Sequence, residues 1–130
     1  PKFVYDRNQI MAILNQESSL MEIVKLIGSD VLPDDQKLTL EIARVIRLGF
    51  LQQNAFHQED TSVPMEKQFL MMETILYLYE KCRALVNRGM PVSVLKEDKI
   101  FEVPNKELER FDEYHKDIDR FYDNVLERNG

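Results

Sequence analysis

The chain has 130 residues, of which 44% are hydrophobic and 31% are charged, so it is large enough for one domain with a buried core and leaves little room for a second. Its 23 acidic residues outnumber 17 basic ones and give a formal net charge of −6, which argues against a protein that binds nucleic acid through clustered cations. The single cysteine, Cys82, excludes an internal disulfide and is typical of a reducing, intracellular setting.

The first predicted helix covers roughly residues 6–27. Asp6 is its expected N-cap, and Gly28, directly after the last apolar residue, is its expected end. Apolar residues recur at intervals of three and four, which predicts one stripe facing the core, formed by Ile10, Ile13, Leu14, Leu20, Met21, Ile23, Val24 and Ile27.

A turn rich in acidic side chains, residues 28–36, separates the first two predicted helices. Pro33 and the two aspartates after it suit the positively polarised N-terminus of the second helix. That helix is expected to run to about Leu48 and to end at Gly49. Its inward face is predicted to carry Leu38, Ile42, Val45 and Ile46.

Residues 50–63 are the least periodic part of the chain, which predicts a loop. The stretch Phe50-Leu51-Gln52-Gln53-Asn54-Ala55-Phe56-His57 interleaves two aromatic rings with three side-chain amides. This combination suits a flat heterocycle, because the ring faces can stack on it and the amides can hydrogen-bond its edge. A solvated loop without a ligand remains the alternative.

Pro64 is expected to open the most strongly periodic helix, which Gly89 ends. Cys82 lies on the apolar stripe of this helix, so a small buried thiol is a better interpretation than a nucleophile. Pro91 then allows a short helix, and Pro104 starts a last helix in an acidic tail. The predicted fold is therefore all-α, a helical bundle of about four helices with a short extra turn.

The predicted domain organisation is a bundle over residues 1–103, with the acidic amphipathic helix of residues 104–130 packed on the same domain. No apolar run approaches the ~20 residues needed to cross a bilayer, and no signal-peptide pattern opens the chain.

Sequence motifs that carry catalysis are missing. The four glycines are too far apart to form a phosphate-binding loop of the GxxxxGK[ST] or GxGxxG type. His57 and His115 are far apart in sequence, and neither belongs to a zinc motif such as HExxH. We therefore predict no catalytic residue and no metal site in this chain.

Two stretches together resemble a known family. The string FLQQNAFHQEDTSVPMEKQ follows a Gly-x-Asp-x-Leu-Pro turn and an L-x-L-E-I-A-R helix, and this combination is similar to the catalytic A (alpha) subunit of V-type and archaeal A-type ATPases. The resemblance covers roughly Ile10 to Gly89. It implies the C-terminal helical domain of that subunit, beyond the nucleotide-binding domain that carries the phosphate loop. We therefore expect the chain, which begins at Pro1, to be a piece of a longer subunit.

The resemblance implies a contact with the rotating central stalk. In related rotary ATPases a hairpin with the pattern DELSEED touches that stalk, and the matching positions here are Asp30, Val31, Leu32, Pro33, Asp34, Asp35 and Gln36. Asp30, Leu32 and the acidic pair keep the character of the pattern, whereas Gln36 replaces its last acid. Because Val31 and Pro33 weaken a purely electrostatic contact, the expected mode is steric pushing by a stiff helical hairpin.

The resemblance also implies a contact with the adenine end of a nucleotide. Gln53, Asn54, Ala55 and Phe56 are the candidates to line that end of the site. The preceding domain would bind the phosphates and Mg²⁺, so this chain alone is expected to hold no cofactor and to have no ATPase activity. The parent subunit would bind ATP or ADP with Mg²⁺ and would be an ion-translocating ATPase or ATP synthase.

The implied partners are other ATPase subunits, namely the B subunit of the catalytic ring and the central stalk, with no nucleic acid and no direct membrane insertion. The implied location is cytoplasmic, in a peripheral membrane complex that couples ATP hydrolysis or synthesis to transport of H⁺ or Na⁺. The residues alone leave two other hypotheses open. One is a stand-alone helical adaptor that binds a protein partner, and the other is a small enzyme that uses His57 and nearby acids.

Overall fold

A computed structural model describes residues 1–56, 65–102 and 111–129, except for the side chains of residues 52–56 and 111. Within these residues every regular element is helical, so the predicted all-α fold is confirmed. In chain order the elements are α1 (Lys2–Ile27), a 3-10 turn (Ser29–Val31), α2 (Asp34–Phe56), α3 (Met65–Asn87), α4 (Val92–Lys96) and α5 (Phe111–Asn129).

The central helix of the bundle is α3, which packs against α1, α2 and α5. Its inward face, where Leu78, Cys82 and Leu85 are fully buried, forms the middle of one continuous hydrophobic core. Burial raises the pKa of the Cys82 thiol to about 12, so the thiol stays protonated at neutral pH. The predicted buried cysteine is therefore confirmed.

Helix α1 begins four residues before the predicted N-cap, so the prediction for Asp6 was wrong. Asp6 lies inside the helix with its side chain completely buried. Lys2 Nζ lies 3.3 Å from Asp6 Oδ1, and Phe3 packs near Phe69 of α3 with 6.4 Å between ring centroids. Contacts with Asp6 and with α3 therefore hold the first turn of α1 in place. Local capping signals in the sequence do not predict these contacts.

The apolar stripe predicted for α1 is only partly buried. Ile10, Ile13 and Leu20 belong to the core, as predicted. Towards the end of the helix, however, Met21, Ile23 and Ile27 are 36%, 40% and 63% exposed, so their assignment to the core was wrong. Near the C-terminal end of α1, the face that packs against the other helices is narrower than the apolar stripe.

The predicted end of α2 at Gly49 is wrong, because the helix continues to Phe56. The predicted loop is therefore wrong for residues 50–56, and residues 57–63 lie outside the described part of the chain. Gly49 is buried against α3, and a Cβ there would lie 3.0 Å from Met71 Sδ and 3.6 Å from Ile75 Cδ1. This glycine thus permits a close approach of two helices, and it is not a terminator.

The two glycines at helix ends were predicted correctly. Gly28 has φ +87°, and its N–H donates to the carbonyl of Val24 at 2.8 Å. Gly89 follows α3 with φ +98°. Both conformations are left-handed, where a residue with Cβ is strained. The short helix predicted after Pro91 is confirmed as α4.

Helix α5 is joined to the rest of the bundle by polar contacts as well as by its core residues. The Tyr77 hydroxyl of α3 donates to Asp119 of α5, which raises the pKa of Tyr77 to about 12. The Tyr114 hydroxyl donates to the carbonyl of Ile100 at 2.6 Å. The start predicted at Pro104 lies outside the described residues, and the division between residues 1–103 and 104–130 stays a prediction.

Replacing Gly49 by Val should lower the free energy of unfolding by about 1–3 kcal/mol, because the added atoms must displace Met71 in a close-packed contact. Urea denaturation followed by far-UV circular dichroism measures this change. The double variant with Met71→Ala should be less destabilised than the sum of the single changes, since the smaller side chain makes room. A fully tolerated Gly49→Val would contradict the close approach.

Candidate functional site

The two groups of predicted site residues lie at opposite ends of α2. Residues 30–36 form the turn into the helix and its first residues, whereas residues 53–56 form its last turn. At 1.5 Å per residue, the helix between them spans roughly 30 Å. One continuous helix therefore connects the predicted stalk contact with the predicted adenine contact.

The acidic turn presents some of its predicted contact residues to solvent and buries others. Asp30, Val31, Pro33 and Asp35 are exposed, and Gln36 is half-buried. Leu32 is only 6% exposed, so its side chain anchors the turn to the protein. The exposed residues of the turn are therefore held in place by a buried one, Leu32.

Asp34 has a structural contact that the sequence did not indicate. Its Oδ1 accepts a hydrogen bond of 3.1 Å from the backbone N–H of Val92, the first residue of α4. A second contact between the same helices joins Lys96 Nζ to Glu41 Oε1 at 3.2 Å. The first part of α2 is therefore joined to α4 by two polar contacts. Of the predicted acidic pair, Asp34 takes part in this junction, whereas Asp35 is exposed.

Sequence reasoning missed an apolar surface beside this turn. Leu26 is 85% exposed, and Ile27, Val31 and Ile23 are 63%, 58% and 40% exposed. We call these four aliphatic residues the tip patch. Leu26 lies outside the apolar stripe predicted for α1, and an aliphatic residue off the stripe is the signal in the sequence that could have indicated an exposed apolar surface here.

The predicted adenine contacts fall in the last turn of α2, where only the backbone is described. Gln53, Asn54, Ala55 and Phe56 are helical, and their side chains lie outside the described part of the chain, as does His57. Next to this end of α2 is a mainly apolar groove of about 450 Å³ between α1, α2 and α3. Its lining includes Phe3, Met11, Leu14, Phe50 and Met72.

Cys82 and His115, two residues of types that often take part in catalysis, make packing contacts in the structure. The only cysteine is a buried, protonated thiol. His115 stacks on the ring of Tyr77 at 3.8 Å between centroids, and its Nδ1 lies 3.8 Å from Asp119 Oδ2. Across residues 1–56, 65–102 and 111–129, no three histidine, cysteine or acidic side chains are grouped so as to hold a metal ion, and none of the helices is long and apolar enough to span a membrane.

The structure belongs to the class of all-α domains. One long helix, α2, connects its exposed apolar tip to an end whose sequence is rich in side-chain amides. Residues 1–95 match the family described as the C-terminal domain of V and A type ATP synthase. The chain belongs to this family, as the resemblance had indicated.

Curated relatives agree with this assignment. The chain is 42% identical to the V-type ATP synthase alpha chain 2 of Clostridium tetani, with 94% of this chain and 22% of the relative covered. It is 43% identical to the V-type ATP synthase alpha chain of Halothermothrix orenii and 45% identical to the A-type ATP synthase A subunit of Methanopyrus kandleri, in both cases with 93% of this chain and 22% of the relative covered. The chain thus spans about a fifth of the length of these relatives.

Asp34→Ala should lower the free energy of unfolding by about 1–2 kcal/mol more than Asp35→Ala does, because only Asp34 accepts the hydrogen bond from Val92. Both variants remove a carboxylate from the first turn of α2, so they lose a similar interaction with the helix dipole. Thermal or urea unfolding of the two variants measures the difference. Equal stabilities would show that the bond to α4 contributes nothing.

Proposed function

We propose that this chain is the part of a V- or A-type ATP synthase catalytic subunit that converts a change at the nucleotide site into a push on the central stalk. The observation that carries the proposal is the tip patch, four exposed aliphatic residues beside an acidic turn. Apolar patches that a monomer leaves exposed mark protein–protein contacts. The family assignment makes the stalk the partner that this end of the domain is expected to meet.

The tip patch favours an apolar and steric contact over an electrostatic one. Within the described tip, Asp30 and Asp35 are the exposed acids, whereas Asp34 is engaged with α4. Exposed charges separated by solvent interact weakly at cellular salt concentrations. Aliphatic side chains that become covered by a partner gain about 25 cal/mol for each Å² removed from water.

A push requires a stiff lever, and the packing of α1 on α2 supports one. Arg47 of α2 pairs with Glu17 of α1, and core residues such as Leu20 and Ile42 are buried between the helices of the bundle. Close-packed interiors transmit displacement because they deform little. A shift at the far end of α2 would therefore reach the tip as a movement of the whole hairpin.

At the far end of α2, we assign Gln53, Asn54, Ala55 and Phe56 to the adenine end of a nucleotide site whose phosphate and Mg²⁺ contacts belong to the longer subunit. An aromatic ring and side-chain amides suit a purine. The B subunit of the ring and the central stalk are the proposed partners, in a peripheral membrane complex whose other subunits move H⁺ or Na⁺.

The double variant Leu26→Gln/Ile27→Gln, introduced into the assembled complex, should reduce ATP-driven ion transport per ATP hydrolysed by about fivefold or more, because it removes the most exposed apolar contacts of the tip. Ion uptake into vesicles and phosphate release are measured on the same preparation. Leu70→Gln, at an exposed apolar position of α3, is the matched control and should leave the ratio unchanged. An unchanged ratio in the tip variant would contradict the stalk contact.

Phe56→Ala in the full-length subunit should weaken nucleotide binding by about three- to tenfold, because it removes the proposed stacking surface. Equilibrium binding of a fluorescent ATP analogue to the assembled ring measures the affinity. Leu51→Ala is the control, since Leu51 is exposed on the same helix end. Equal affinities for both variants would place the Phe56 ring away from the nucleotide.

A further inference from the structure

The mainly apolar groove of about 450 Å³ between α1, α2 and α3 has no role in the proposed function. Of the described residues that line it, Arg7 and Gln68 are polar and the others are apolar: Phe3, Ile10, Met11, Leu14, Phe50 and Met72. Small-molecule sites have similar volumes, roughly 300–1,000 Å³, but they bring several polar groups together to orient the ligand. The lining of this groove therefore favours apolar side chains of a protein as the occupant.

Exposed apolar side chains extend the surface of the groove on both α1 and α3. Met11 and Val4, which lie about two turns apart on the same face of α1, are each about half exposed. On α3, Met65 is exposed and belongs to the same stripe as Gln68 and Met72, at spacings of three and four. Apolar surface of this kind is typical of an interaction site, and methionine side chains adapt to the shape of a partner.

The groove lies at the end of the bundle that the proposed function assigns to the nucleotide site. Phe50, which lines it, is one helical turn before Gln53, the first of the proposed adenine contacts. Phe3, which also lines it, is in the first turn of α1. From Phe3 to Leu26 of the tip patch, α1 spans roughly 35 Å. A partner that contacts the tip patch is therefore far from the groove.

Given the proposed place of this chain in a longer catalytic subunit, we infer that the groove receives apolar side chains from the part of that subunit N-terminal to this domain. The domain is C-terminal in its family, and the chain spans about a fifth of the length of its relatives. The remaining part of such a subunit is therefore joined to the beginning of α1, where Phe3 and Arg7 line the groove. Because this part is tethered, its effective concentration at the groove is high, about millimolar for a short linker, and a modest apolar contact holds it there.

Methionine oxidation by hydrogen peroxide, followed by mass spectrometry, compares the 130-residue chain with the unassembled full-length subunit. Met11 should react about threefold or more slowly in the full-length subunit, because the N-terminal part covers it. Met21, exposed near the tip on the same helix, is the matched control and should react equally in both. Equal rates for Met11 in the two proteins would overturn the inference. So would a Met11 that reacts as slowly as buried Met72 in the 130-residue chain, because this chain would then cover its own groove.

The photoreactive residue p-benzoylphenylalanine, placed at Met11 of the full-length subunit, identifies the occupant. We expect a cross-link within one subunit, to a peptide N-terminal to this domain. A cross-link to another peptide of this domain or to a second copy, or the absence of any cross-link, would overturn the inference. The same residue at Leu26 should cross-link to the stalk, and only in the assembled complex. Loss of the Leu26 product alone would contradict the stalk contact, whereas loss of the Met11 product alone would contradict the groove assignment.

Discussion

The close packing of α2 on α3 at Gly49 is the constraint on which the arrangement of both proposed contact ends depends. Because Gly49 has no side chain, Met71 and Ile75 of α3 occupy the space that a Cβ would need. The contact keeps α2 helical through a residue that would weaken an isolated helix by about 1 kcal/mol relative to Ala. The first and last turns of α2 are therefore parts of one rigid element rather than two elements joined by a loop.

The tip of the hairpin combines a fixed base with an apolar surface that nothing in the described residues covers. Leu32 is buried and Asp34 is bound to α4, so the turn has a defined shape. Leu26 and Ile27 contribute little to the folding of this chain, because most of their surface stays in water. Exposing these side chains to water is unfavourable in the isolated domain. Covering them with a partner is favourable, as the proposed stalk contact requires.

Features of the sequence that act locally could be predicted, whereas those that depend on distant residues could not. Gly28 and Gly89 end helices because of their own backbone conformation, and both were predicted. Gly49 gives the same signal, but its role is decided by Met71, which lies 22 positions later in the chain. Asp6 likewise satisfies the local pattern of an N-cap, and only the position of α3 shows that it is buried.

The same distinction explains why net charge is a poor guide to the candidate contact surface. Several acids of this chain are used between elements of the bundle: Glu17 pairs with Arg47, Glu41 with Lys96, and Asp119 accepts from Tyr77. The negative charges of Glu17 and Glu41 are therefore largely compensated by the cations they pair with. What the described tip offers a partner is the pair of exposed acids together with four aliphatic side chains, so the apolar area, and not the charge, is the larger attractive contribution to a contact there.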